Sequence, residues 1–213
     1  MFRVRKTKTD LEKKWEELSR FERECFQSGY RSVAGVDEAG RGPLAGPVVA
    51  ASVIFPFDFK LPGLNDSKQL TLTERNYYYN EILNNAVGIG VGIVESEVID
   101  QINILQATLL AAKIAVSSLT PHPDYLLIDA LNLSFISIPQ KAIIKGDCLS
   151  YSIAGASVVA KVTRDRIMNM YHFQHPEYQF DRHKGYGTKE HLNRLQILGP
   201  TSIHRKTFRG VLQ

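Results

Sequence analysis

Three apolar segments of this chain run into carboxylates. Residues 33–36 (VAGV) meet Asp37 and Glu38, residues 125–128 (YLLI) meet Asp129, and residues 141–145 (KAIIK) are followed one residue later by Asp147. Short runs of branched apolar residues read as strands buried in a sheet. Charged residues are seldom set beside a buried strand without a partner. Any one acid at a strand end is an ordinary turn or cap residue. Taken together they are more demanding, because an open α/β sheet gathers strand ends along one edge, where such sheets place their ligands. That edge would bring four carboxylates into one small volume.

The rest of the pattern supplies the sheet's surroundings. Residues 47–55 (PVVAASVIF) read as a central strand, apolar on both faces, and form a hairpin with residues 32–37 across a connection holding Gly40, Gly42 and Pro43. Residues 86–95 alternate small and branched residues, as a strand does, and their glycines suggest close approach by a neighbouring element. Two capping boxes, Thr9-x-x-Glu12 and Thr71-x-x-Glu74, open helices. The first helix carries one stripe of Leu11, Trp15, Leu18, Phe21 and Cys25 and ends at Gly29; the second runs to about residue 85. Further helices are predicted over 103–119, 152–170 and 189–198, with a last turn or two over 202–208. Strands come first as a meander and then alternate with helices, which predicts an α/β fold with a mixed sheet flanked by helices. Residues 1–30 read as an N-terminal helical appendage and residues 31–213 as one catalytic domain.

Composition narrows the function classes. The 213 residues carry 26 Lys and Arg against 22 Asp and Glu, a net charge of +4, with basic residues near both ends, among them Arg3, Arg5, Lys206 and Arg209. A basic chain attracts polyanions, nucleic acid above all. Two cysteines make no disulfide framework and fit reduced thiols in a cytoplasmic protein. The N-terminus lacks the apolar core of a secretory signal, and no uninterrupted apolar run suggests a membrane span. Monomer is the expected oligomeric state.

Four carboxylates at contact distance repel one another, and at neutral pH some would have to take up protons unless a cation intervened. Oxygen ligands without His or Cys point to Mg²⁺ or Mn²⁺ rather than zinc. Two such ions about 4 Å apart suit in-line phosphodiester hydrolysis, clamping the attacking water and the leaving oxygen. A protein that merely bound nucleic acid would gain nothing from acids facing phosphates. A different Mg²⁺ enzyme, a phosphatase or nucleotide hydrolase, has no Walker-type loop here to support it.

Residues 34–43 (AGVDEAGRGP) closely resemble the N-terminal signature of bacterial ribonuclease HII, the type 2 ribonucleases H. The similarity continues in order through residues 63–68 (GLNDSK), 127–129 (LID), 145–147 (KGD), 156–165, 183–186 (HKGY) and 204–208. The resemblance implies a ribonuclease H-like fold with a C-terminal helical extension. It implies hydrolysis of RNA in RNA–DNA hybrids and cutting 5′ to a single ribonucleotide embedded in a DNA duplex, leaving 3′-hydroxyl and 5′-phosphate ends. By that resemblance Asp37, Glu38, Asp129 and Asp147 are the metal-binding catalytic set. Gly40, Arg41 and Gly42 would read the ribose 2′-hydroxyl through the backbone, Tyr186 would stack on the sugar beside the junction, and Lys68 would meet a phosphate. A tether to a replication clamp is not readable. The sequence departs from the family pattern at Cys148, at Gly187, where proline is usual, and at Ala130, where a glycine-bearing turn is common. The related ribonuclease HIII type commonly has a larger N-terminal domain and a glutamate as fourth acid, so Asp147 and the roughly 30 preceding residues favour type HII.

Overall fold

The structure, a computed structural model, describes the backbone of residues 8–212; the side chains of residues 8, 9 and 11 lie outside the described set, and with them the capping box expected at Thr9. Strands β1 (Val33–Ala39), β2 (Val48–Ile54), β3 (Gly88–Val94), β4 (Tyr125–Asp129) and β5 (Gln140–Ile143) form one sheet in the order β3-β2-β1-β4-β5. β1, β2 and β3 make the expected antiparallel meander. β4 then runs parallel to β1, and β5 parallel to β4. Three strands therefore end on the same edge. β1 extends through Glu38 and Ala39, so the first two acids lie within the strand rather than after it.

Helices cover both faces. α5 (Tyr151–Gln174) and α3 (Leu72–Asn85) pack on one, where Ala51, Val53, Ile82, Ala156 and Val159 share a buried cluster. α4 (Ser96–Ser117) covers the other with Ala107, Ala111 and Ala115, and Leu119 just beyond its end, against Val36, Ala50 and Leu126. The glycines of β3 permit this: a Cβ on Gly90 or Gly92 would lie 1.9 Å from the carbonyl oxygen of Ala115 or Ala111. α4 is kinked at Asn103 (φ 67°), whose side-chain oxygen accepts from the N–H groups of Leu105 and Gln106. The helix predicted to start at residue 103 thus has its cap there, with a further stretch of helix before it. α4 is long and apolar enough to span a membrane by length and composition, yet its small-residue face lies against the sheet.

The single N-terminal helix expected from one apolar stripe is two, α1 (Lys8–Leu18) and α2 (Arg20–Gln27). The break falls at Ser19, whose hydroxyl bonds back to the Trp15 carbonyl at 2.8 Å, a contact that bends helices. The stripe divides with it: Trp15 and Leu18 join the α3–α5 cluster, while Phe21 and Cys25 pack on Val33, Leu127 and Ile153. At the other end, α6 (Phe180–His183) and α7 (Lys189–Leu198) follow α5. Residues 202–208 are not helical. His204 bridges Ala45, and the Arg205 N–H donates to the Leu44 carbonyl at 2.8 Å, so this segment takes its bonds from the loop after β1.

Candidate active site

The shared edge of β1, β4 and β5 assembles the acids. Asp37, Asp129 and Asp147 each offer a carboxylate oxygen, all within 4.8 Å of one another. Val36 pairs with Ile128 in register, which sets Asp37 and Asp129 side by side on the face toward α5. Asp147 arrives on a short 3-10 turn, Gly146–Cys148, pinned to β4 because the Gly146 N–H donates to Asp129 Oδ1 at 2.7 Å. Asp66 comes within the same distance of Asp147 and the Cys148 sulfur.

Glu38 does not join the three. Its carboxylate lies outside that 4.8 Å group and meets Arg41, Nη1 to Oε1 at 3.4 Å, while Asp129 still acts on its charge. Lys68, expected at a phosphate, lies with Nζ 3.2 Å from Asp147 Oδ2, its side chain largely exposed.

The acids carry the electrostatic strain that the sequence implies. Burial, then repulsion from Glu38 and Asp129, holds the Asp37 carboxyl well above the usual carboxylate range, against hydrogen bonds from Ser157 and the Glu38 N–H. Burial also raises Glu38, with Asp129 adding to it and Arg41 opposing. Asp129 is raised by burial and by Asp147, against its bond from Gly146. Burial works against charge on Lys68, but Asp147 outweighs it and raises the ammonium's pKa. Three acid oxygens converging with, among the described residues, only an exposed lysine as direct counter-ion fit a hard divalent cation, whose charge would relieve the repulsion.

Beside the acids lies the loop between β1 and β2. Gly40 has φ 98°, and a Cβ there would meet Arg164 Nε at 2.2 Å. The space at Gly40 is thus filled from inside the protein, by a buried arginine. Gly42 differs: a Cβ there would find only Tyr186 Cε1, at 3.9 Å. Tyr186 is 44% exposed, and Gly42 is where the loop opens toward it. Lys161 pairs with Asp165 at 2.7 Å, four residues on along α5, and lies 6.0 Å from the Tyr186 ring.

Behind Tyr186 is a histidine network that includes His183 of the HKGY segment. His183 Nε2 lies 2.8 Å from the Tyr178 carbonyl, and its Nδ1 accepts from the Gly185 N–H. His204 Nδ1 accepts from the Thr201 N–H at 2.9 Å, so its Nε2 carries the proton and donates to His191 Nε2 at 3.1 Å. His191 Nδ1 is then left to donate to the Tyr186 carbonyl at 3.0 Å. Burial, with the neighbouring ring, depresses His191 and His204 to about 4, which keeps both neutral. Spacing alone carried no sign of this network. Glu22 of α2 was also missed: its carboxylate takes hydrogen bonds from the Ser150 and Ser152 hydroxyls and the Ser152 N–H, fastening the N-terminal helix to the start of α5 just after Asp147.

A mixed five-stranded sheet in this order, with helices on both faces and acids on the parallel edge, defines a ribonuclease H-like protein, and solved structures agree. The ribonuclease H2 from Pyrococcus horikoshii OT3 superposes with a TM-score of 0.70 at 26% identity, covering 84% of this chain and 95% of that one. The enzyme in the PCNA:RNase HII complex from Archaeoglobus fulgidus gives 0.72 at 25%, with the same coverage. The model of the family "Ribonuclease HII" matches residues 34–211. Curated ribonuclease HII proteins are 55% identical over 192 residues in Syntrophus aciditrophicus (90% of this chain, 91% of the relative) and 56% identical over 194 in Geotalea uraniireducens (91% and 90%). The chain belongs to the ribonuclease HII family. It is a type 2 ribonuclease H, a divalent-metal-dependent hydrolase of the RNA strand in RNA–DNA hybrids.

Proposed function

We propose that this enzyme cuts long hybrids and also cleaves 5′ to a single ribonucleotide embedded in duplex DNA, leaving 3′-hydroxyl and 5′-phosphate ends. The observation that carries this is the meeting of two features at one edge: the three converging carboxylates of Asp37, Asp129 and Asp147, and a glycine loop that opens toward an exposed tyrosine. Asp37, Asp129 and Asp147 would hold two divalent ions, with Glu38 completing the set once its contact with Arg41 gives way. Bound there, the ions supply the Lewis acidity that in-line phosphodiester hydrolysis needs. Asp129 keeps its orientation through the Gly146 N–H, and Asp37 through the Glu38 N–H and Ser157. Lys68 stands ready to exchange Asp147 for a phosphate.

Gly40, Arg41 and Gly42 would read the 2′-hydroxyl, the group that separates RNA from DNA. Tyr186 would stack on the sugar beside the junction, where Gly42 leaves the approach open. The test is a DNA duplex with one ribonucleotide in an end-labelled strand, incubated with Mg²⁺, with Mn²⁺ or with chelator. The expected product is a single cut 5′ to the ribonucleotide with a free 3′-hydroxyl, in metal only. A 2′,3′-cyclic phosphate, or cutting that survives the chelator, would overturn the reading.

A further inference from the structure

Two buried guanidinium groups grip the glycine loop from behind. Arg205 is fully buried. Its Nε donates to the Gly46 carbonyl at 3.0 Å, Nη1 to Arg41 at 3.0 Å and Pro43 at 2.8 Å, and Nη2 to Gly40 at 2.6 Å. Arg164 of α5 is equally buried. It donates through Nε to Pro47 at 2.9 Å, through Nη2 to Ala45 at 3.0 Å and through Nη1 to Lys184 at 3.0 Å. Among the described residues neither pairs with a carboxylate. A buried charge without a counter-ion is costly unless hydrogen bonds take its place. Here main-chain carbonyls do so, and the loop's shape is set by the need to present them inward.

That inward turn has a consequence on the outer side. In a trans peptide the C=O and the following N–H point in opposite directions. The Gly40 and Arg41 carbonyls face Arg205, so the N–H groups of Arg41 and Gly42 face away from it, and among the described residues neither N–H has a hydrogen-bond partner. Two successive outward N–H groups make a small concavity suited to an oxygen atom. We propose that Arg205, with Arg164 beside it, is the positioning residue that turns these two donors toward the ribose 2′-oxygen and so sets the preference for a ribonucleotide. This rests on the reading that the loop contacts the 2′-hydroxyl. Arginine is required because only a planar fork reaches several carbonyls at once; lysine would carry the same charge as a point.

The test is binding of two duplexes with Ca²⁺ in place of the catalytic ions, one all-DNA and one with a single ribonucleotide. Wild type is compared with Arg205→Lys, and folding is checked by circular dichroism. The expected result is a ribonucleotide preference that falls about tenfold in Arg205→Lys, as loss of charged hydrogen bonds implies, with affinity for the all-DNA duplex unchanged. A merely structural role would weaken both duplexes alike. If Arg205→Lys does not fold, the amide resonances of Arg41 and Gly42 in the wild type decide: both must shift with the ribonucleotide duplex and not with the all-DNA one. An undiminished preference in folded Arg205→Lys overturns the positioning role alone, whereas unmoved amides overturn the contact of these N–H groups with the 2′-hydroxyl as well. A wild type without any preference overturns the 2′-hydroxyl reading and this inference with it.

Discussion

Acid should loosen this protein through the histidines behind Tyr186, and by a calculable amount. His191 and His204 are held neutral at about 4 in the fold, against an ordinary value of 6.5. Between pH 6.5 and pH 4 the unfolded chain takes up protons that the folded chain refuses. Stability therefore falls as pH drops through that window, and the loss is complete below about pH 4. For one such histidine the difference between pH 7 and pH 5 is about 2 kcal/mol. The raised acids Asp37, Glu38 and Asp129 act in the opposite sense in metal-free protein, since there the folded state holds protons more tightly. A comparison isolates the histidine contribution: urea unfolding of metal-free wild type and His191→Gln, each at pH 7 and pH 5. The acids contribute equally to both proteins and cancel. Wild type should lose about 2 kcal/mol more than the variant, or roughly 4–8 °C in melting temperature for a domain of this size. Equal pH dependence in the two proteins would refute the neutral hydrogen-bonded network.

Three other outcomes follow from the site. Asp37→Asn should abolish cleavage while hybrid binding stays within a few fold, and should raise the melting temperature of the metal-free protein because it removes a repelling charge; near-normal turnover in a cleavage assay would count against it. Tyr186→Ala should harm cutting at a lone ribonucleotide more than cutting of long hybrids, measured as kcat/KM on each, and equal losses would reject the stacking role. Ala130, where a glycine-bearing turn is usual, sits at φ 50°. Ala130→Gly should therefore raise stability by about 0.5 kcal/mol, the relief of left-handed backbone exceeding glycine's entropic cost; chemical denaturation reads this, and a loss of stability would contradict it.

The edge of acids was legible because three apolar runs each led into a carboxylate, an ordinary feature once and a demanding one three times in one sheet. The β1–β2 hairpin, the opening meander and the mixed sheet followed from patterning, whereas the pairing of β4 with β1 did not. What stayed hidden was set by tertiary context. Glu38 adjoins Asp37 in sequence, and nothing in that adjacency shows that its carboxylate reaches Arg41 while Asp129 still acts on its charge. Arg205 counts as one more basic residue in any composition, and nothing local reveals that it is buried under a loop some 160 positions earlier. The Ser19 break is likewise invisible to a hydrophobic stripe that continues through it. Residues 202–208 look like a helical turn until the loop they bridge is in place.

The central claim is that Asp37, Asp129 and Asp147 hold cations between them. Anomalous scattering from crystals soaked in Mn²⁺ addresses it without any assay of activity. Manganese peaks should lie among those three carboxylates, with Lys68 displaced from Asp147. Manganese bound elsewhere with the acid edge empty at saturating metal would contradict the account.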